Sequence, residues 1–263
     1  VVDDASTDSS LGLVEKYYIS LPTELKEKLF IIRSSTNQGV SYARNLALKS
    51  LVKTDVYSFC DADDIWDSTL VEKSVGTFRK YPYVDCVYSR VSVLKDKELT
   101  KLHSKICNGN VFVDAINSNI LNCGSNLFVT ASFLKEKNIQ FDESITNVED
   151  WEFLLQLSQK GAVFKCTKEY LIVYRQTPES VTKDRFKQLS CSKKVLYRYI
   201  FDKTNSIEML EKEEMFRSSF TRRFCFYFSF RNFTRENIRD LDFSYILRVI
   251  VSKLKSFVKL YLL

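Results

Sequence analysis

Phe59-Cys60-Asp61-Ala62-Asp63-Asp64 is an apolar run that ends abruptly in three carboxylates. Carboxylates this close repel one another, and a hard divalent cation such as Mn²⁺ or Mg²⁺ is a common way to hold them together, often with a diphosphate as its other ligand. A second apolar pair, Val1-Val2, opens into Asp3-Asp4-Ala5-Ser6-Thr7-Asp8. An Asp there can accept a hydrogen bond from a base N–H or a ribose hydroxyl, while Ser6 and Asp8 also suit the cap of a following helix. Asn37-Gln38-Gly39-Val40-Ser41-Tyr42-Ala43-Arg44-Asn45 reads as a turn into a helix. Backbone N–H groups at that helix start, with Arg44 one turn in, suit an anionic diphosphate. Val148-Glu149-Asp150-Trp151-Glu152 places carboxylates in the first turn of another helix, where the dipole stabilises them whatever their role. Taken singly, each segment also fits an ordinary turn, cap or solvated loop.

These groups need a scaffold that brings strand ends together. Up to Tyr174, short β-branched and aromatic runs alternate with stretches of helical period, the pattern of an α/β domain whose sheet is covered by helices. Strands are expected at 1–2, 30–32, 56–60, 84–93, 125–129, 163–166 and 171–174. The clearest helix covers 148–160, with Trp151, Leu154, Leu155 and Ser158 on one face, Asn147 as cap and Gly161 as stop. A second covers 40–51, turning Ala43, Ala47 and Leu51 inward and Arg44 and Asn45 to the side. Ligands of open α/β sheets bind beyond the carboxyl ends of strands, so two acidic strand ends predict one shared crevice. Beyond Arg175 the strand signal stops and the pattern is helical.

With 263 residues, 45% of them apolar and only nine Gly plus Pro, the chain suits one α/β domain with an appendage and excludes fibrous or disordered classes. Seven cysteines, odd in number, scattered and never spaced Cys-x-x-Cys, point to reduced thiols of a cytoplasmic protein and away from a disulfide framework or zinc site. The only histidine, His103, has no metal-spaced partner and reads as a surface residue. No apolar run is long enough to span a bilayer. The net charge of +6 is uneven: residues 183–263 carry 18 basic and 9 acidic side chains, against 21 and 24 in residues 1–182. The acidic front argues against a nucleic-acid partner.

Together, in this order and spacing, the four segments resemble glycosyltransferase family 2, enzymes of the GT-A fold. That fold is a Rossmann-like nucleotide-diphospho-sugar transferase architecture with a mixed sheet flanked by helices. The resemblance covers residues 1–182 as catalytic domain and leaves 183–263 as a basic helical extension. It implies transfer of a sugar from a nucleotide diphosphate sugar to an acceptor hydroxyl, with inversion, in bacterial surface polysaccharide or glycolipid synthesis. By the same resemblance Asp3 and Asp4 contact the base, Asn37, Gly39 and Arg44 lie near the nucleotide, Asp61 touches the ribose, and Asp63, with Asp61, ligates Mn²⁺ or Mg²⁺. Asp64 is a less defined partner. Glu149 and Asp150 form the catalytic acidic pair, Asp150 acting as general base; at a helix start its pKa is expected to be held low. Many relatives carry a His after the Tyr-Arg near the domain end, whereas this chain reads Tyr174-Arg175-Gln176, so a metal or phosphate role for that His is absent, while Arg175 is still expected to neutralise the leaving diphosphate. The chain begins at Val1, inside an apolar run, so the family's first strand and helix are expected to be missing.

Trp66 and Trp151 are candidates for sugar-stacking platforms or for core packing. Residues 243–263 place Ile246, Leu247, Ile250, Val251, Leu254 and Phe257 on one half of a helical wheel and Arg248, Lys253, Lys255 and Lys259 on the other. Such a helix suits either an anionic membrane surface, as a peripheral enzyme at the inner face with a saccharide or lipid-linked saccharide acceptor would use, or closure against the catalytic domain. Residues 216–233, dense in Phe and Arg, extend either surface. Two other classes compete: a nucleotidyltransferase of similar sheet architecture, and a non-enzymatic membrane-surface adaptor using the basic tail.

Overall fold

The computed structural model describes residues 1–50, 53–177, 185–201 and 208–227. In chain order the elements are β1 (Val2–Asp3), α1 (Ser10–Ser20), α2 (Thr23–Lys26), β2 (Ile32–Arg33), α3 (Val40–Ser50), β3 (Val56–Ser58), β4 (Ile65–Trp66) and α4 (Leu70–Lys80). There follow β5 (Cys86–Lys95), β6 (Glu98–Lys101), α5 (Phe112–Asn117), β7 (Phe128–Thr130), α6 (Ala131–Glu136), α7 (Glu149–Gln159), β8 (Phe164–Arg175), α8 (Arg185–Ile200) and α9 (Met209–Tyr227).

β1 and β2 form a parallel pair. The main sheet is mixed, in the order β3-β7-β5-β8-β4, with β6 folded back on β5. Its spine is β5 beside β8, parallel over Cys86↔Phe164 to Leu94↔Arg175 with irregular register around Arg90. The two strands expected at 163–166 and 171–174 are one, because the chain bulges at 167–169, with Lys168 at φ of +69°, and rejoins β5 at Tyr170. β4 and β6 carry no strand signal of their own; each is held by pairing with a long neighbour.

Alternation along β5 sorts the core. Cys86 and Tyr88 point into one cluster with α5, α7 and α8, while Val87 and Val91 point into the other, with Leu70 of α4 and Phe128 of β7. α7 is buried on nearly every side through Trp151, Phe153, Leu154, Leu155, Leu157 and Ser158, and Phe153 stacks on Phe141 at 4.0 Å. Gly161, with φ of +90°, ends it in the left-handed region that glycine adopts without strain. Leu189, Val195, Leu196, Tyr199 and Ile200 of α8 are buried, and Phe216 and Phe220 of α9 pack on the first cluster.

Residues Val1–Arg223 make one compact unit, and of a second, Phe224–Leu263, only the end of α9 is described. The amphipathic pattern of 243–263 lies outside the described residues. Among the described residues no helix is long and apolar enough to cross a membrane.

Candidate active site

The sequence predicts α3 with its alanines inward; instead Ser41, Arg44 and Asn45 are its buried residues. Polar groups win that face because each finds a partner. Asn45 donates to the carbonyl of Phe141 at 2.9 Å and accepts the Phe141 N–H at 2.9 Å, and the Ser41 hydroxyl donates to the Ile145 carbonyl at 3.3 Å. α3 thereby fixes the loop that leads into α7.

Arg44 is 5% exposed. Its guanidinium pairs with Asp61 at 2.6 Å and with Glu149 at 3.5 Å, and lies 5.2 Å from the ring centre of Phe141. Burial opposes the charge, yet Asp61 and Glu149 outweigh it and hold Arg44 protonated above its ordinary value. One cation thus joins the acidic strand end after β3 to the acidic start of α7. Gly124 makes room for the pair: a Cβ there would stand 2.4 Å from Arg44 Nη2 and 3.0 Å from Asp61 Oδ2.

The segment around Gly124 carries functional groups the sequence did not announce. Asn119 accepts the Leu121 N–H at 3.1 Å, which orients its amide to donate to Asp150 Oδ2 at 2.8 Å. Ser125 accepts the Asp61 N–H at 2.9 Å and the Trp66 indole N–H at 3.1 Å, through its hydroxyl and its carbonyl respectively. Asn126, 1% exposed, donates to the carbonyls of Ser89 and Leu121 and accepts the Ser89 N–H. The density of small and amide residues in Asn119–Asn126 was the available signal.

These elements enclose a cleft of about 180 Å³. Asp61, Glu149 and Asp150 line it together with Asn147, Thr146, Asn122 and Gly124, closed by Val40, Cys123 and Tyr174. Burial pushes Glu149 up to about 7, Asp150 adding to the shift and Arg44 opposing it. Asp150 is raised too, again first by burial, against Arg44 and the Asn119 hydrogen bond. The helix dipole was expected to hold Asp150 low; desolvation of a carboxylate beside two others is the larger effect here.

Other predicted residues stand elsewhere. The Asp4 carboxylate accepts the N–H groups of Gln38, at 3.1 Å, and Gly39, at 2.6 Å. It fills the anion site at the start of α3 that was expected to take a diphosphate. Gly39 has φ of +93°, and Asn37 is exposed. Asp3 accepts the Ser6 N–H at 3.3 Å. None of these four lines the cleft. Arg175 bonds the Asp63 carbonyl through Nε, and its backbone N–H donates to Asp64 Oδ1 at 3.2 Å. Asp64 is buried, which raises its carboxyl, and its Oδ2 has no hydrogen-bond partner. Trp151 is 1% exposed and donates to the Ala115 carbonyl, so it is core and no platform; Trp66 is half-buried against Phe128. His103 is exposed, as expected.

Among the described residues no three His, Cys, Asp or Glu side chains form a ready-made metal cage. Asp63 is exposed, and Asp61 is partly exposed with one oxygen engaged by Arg44. A donor set of this kind fits a Mg²⁺ or Mn²⁺ ion held chiefly by substrate phosphates with one or two carboxylates.

The mixed sheet, with carboxylates after β3 and at the start of α7, has the architecture of the GT-A fold of glycosyltransferases. The sequence model of glycosyl transferase family 2 matches residues 1–145, and the chain belongs to that family. It is 27% identical over 199 residues to the UDP-Glc:α-D-GlcNAc-diphosphoundecaprenol β-1,3-glucosyltransferase WfaP of Escherichia coli, covering 74% of this chain and 72% of that one. It is 29% identical over 175 residues to the poly(ribitol-phosphate) β-glucosyltransferase of Bacillus spizizenii, covering 66% of this chain but 26% of that one. It spans 55% of a related Haemophilus influenzae glycosyltransferase at 24% identity. Among solved structures, S. aureus TarS in complex with UDP-GlcNAc superimposes with a TM-score of 0.65 at 19% identity, over 86% of this chain and 63% of that one.

Proposed function

We propose that the protein is a metal-dependent, inverting glycosyltransferase that moves a sugar from a nucleotide diphosphate sugar to a hydroxyl of a saccharide or lipid-linked saccharide. The observation that carries this is the convergence of Asp61, Glu149 and Asp150 on one cleft, tied together by buried Arg44. Asp150 is the general base. It takes the acceptor hydroxyl proton as that oxygen bonds to the anomeric carbon, and the bond from that carbon to the diphosphate breaks with its electron pair leaving on phosphate. A single displacement of this kind inverts the anomeric centre. Asn119 orients the base, and a raised pKa makes Asp150 a stronger base than an exposed aspartate.

Asp63, with Asp61, would hold a divalent cation, which when bound supplies positive charge to the diphosphate. Arg175, exposed beside Asp63, adds a second positive group for the departing nucleotide. Arg44, enclosed by carboxylates, sets the spacing of the acidic groups. The E. coli relative is named for UDP-Glc and a diphosphoundecaprenol-linked acceptor, which supports a UDP-sugar donor and a lipid-linked acceptor here.

The test is nucleotide-sugar hydrolysis without acceptor. Slow, Mn²⁺-dependent release of UDP or GDP from one member of a nucleotide-sugar panel is the expected result. Formation of pyrophosphate in place of nucleoside diphosphate, or no binding of any member of the panel, overturns the proposal.

A further inference from the structure

We infer that Asn147 is a sugar-hydroxyl contact of the cleft, its side-chain amide offering one donor and one acceptor to a pair of neighbouring hydroxyls. The inference rests on the glycosyltransferase reading above and adds to it a residue for recognition of the sugar.

An asparagine just before a helix ordinarily spends its oxygen on capping. Here the cap position of α7 falls to Val148, and no side-chain cap hydrogen bond forms. Both Oδ1 and Nδ2 of Asn147 are shielded from water and have no hydrogen-bond partner. A buried amide left unpaired on both sides costs free energy in the folded state, and such groups call for a physical reason. Its position supplies one, since Asn147 lines the same cleft as Asp61, Glu149 and Asp150.

The neighbours narrow the chemistry. An anion would find no use for the amide oxygen, and a cation none for the amide N–H. A neutral polyol uses both atoms, because each hydroxyl donates and accepts. The terminal torsion of Asn has a broad minimum, so the amide can turn toward such a ligand at little cost.

The experiment compares wild type with Asn147→Leu and Asn147→Asp in the full chain, using UDP-glucose and the other UDP-sugars of the panel with Mn²⁺, and a synthetic α-GlcNAc-diphospholipid as acceptor. Leu matches Asn in size and removes an unpaired polar group, so the melting temperature of Asn147→Leu should hold or rise. UDP binding should be unchanged. If the amide meets the donor sugar, hydrolysis of the best UDP-sugar falls roughly 30-fold, about a factor of five for each of two hydrogen bonds. If it meets the acceptor sugar, hydrolysis is unchanged and the acceptor KM rises by a similar factor; either result supports the inference. Full activity in both assays for Asn147→Leu, or a melting temperature well below wild type, overturns it. A wild type that binds and hydrolyses no nucleotide sugar removes the glycosyltransferase reading, and this inference with it.

Discussion

Replacing Glu149 by Gln should stabilise the protein at pH 8 and leave its stability unchanged at pH 4.5. In the folded chain burial holds the Glu149 carboxyl at about 7, against 4.5 for an ordinary glutamate. Between those values the native state keeps a proton that the unfolded chain has released, so stability is fully present below 4.5 and is lost as pH rises through about 7. At about 1.4 kcal/mol per pH unit the interval amounts to roughly 3 kcal/mol. Gln is the permanent mimic of the protonated acid and does not pay it. For a domain of this size that corresponds to a rise of roughly 6–12 °C in melting temperature at pH 8. Asp64 and Glu152 are also raised by burial and add a slope of the same sign, but they are present in both proteins and cancel in the difference; Asp150, which helps to raise Glu149, responds to the substitution, so the difference reports the Glu149–Asp150 pair. Urea titrations followed by Trp66 and Trp151 fluorescence at several pH values make the measurement. A Gln variant no more stable than wild type at pH 8 would refute the reasoning, because it would mean that the negative charge of Glu149 is needed by Arg44 more than burial penalises it.

Asp150→Asn should leave nucleotide-sugar binding intact and lower transfer by about 10²–10⁴-fold, measured as product formed at saturating donor. With wild type, transfer should fall as pH drops through a limb lying above the ordinary aspartate range, since the raised base must be ionised to act; a limb near pH 3.8 would contradict the burial argument. Asp63→Ala should abolish the Mn²⁺-dependent tightening of UDP binding in calorimetry while leaving the melting temperature near wild type, as befits an exposed side chain. Gly124→Ala should force Arg44 away from Asp61 and cost about 1–3 kcal/mol from overpacking, read as a drop in melting temperature.

Much of this arrangement is legible in the sequence because it depends on local pattern. The β-branched runs marked most strands, the period of α7 was plain, and the acidic strand end after β3 and the acidic helix start were visible as chemistry. What failed had long-range causes. α3 turns Arg44 and Asn45 inward because their partners lie in Asp61, Phe141, Glu143 and Glu149, which no helical wheel contains. β8 is one strand because β5 pairs with it on both sides of the bulge at 167–169. Asp4 spends its carboxylate on a turn thirty-four residues away. Asn119 and Gly124 were unremarkable as letters, since their importance lies in a single hydrogen bond and in a missing side chain.

The bridge from Asp4 to the turn before α3 bears on how an inhibitor should be shaped. Because a resident carboxylate already neutralises the amino end of that helix, a phosphate mimic aimed there would have to displace a covalently tethered competitor. Polyanionic groups belong instead beside Asp63 and Arg175, and compounds reaching toward Gln38 and Gly39 should carry neutral donors that share the aspartate without evicting it.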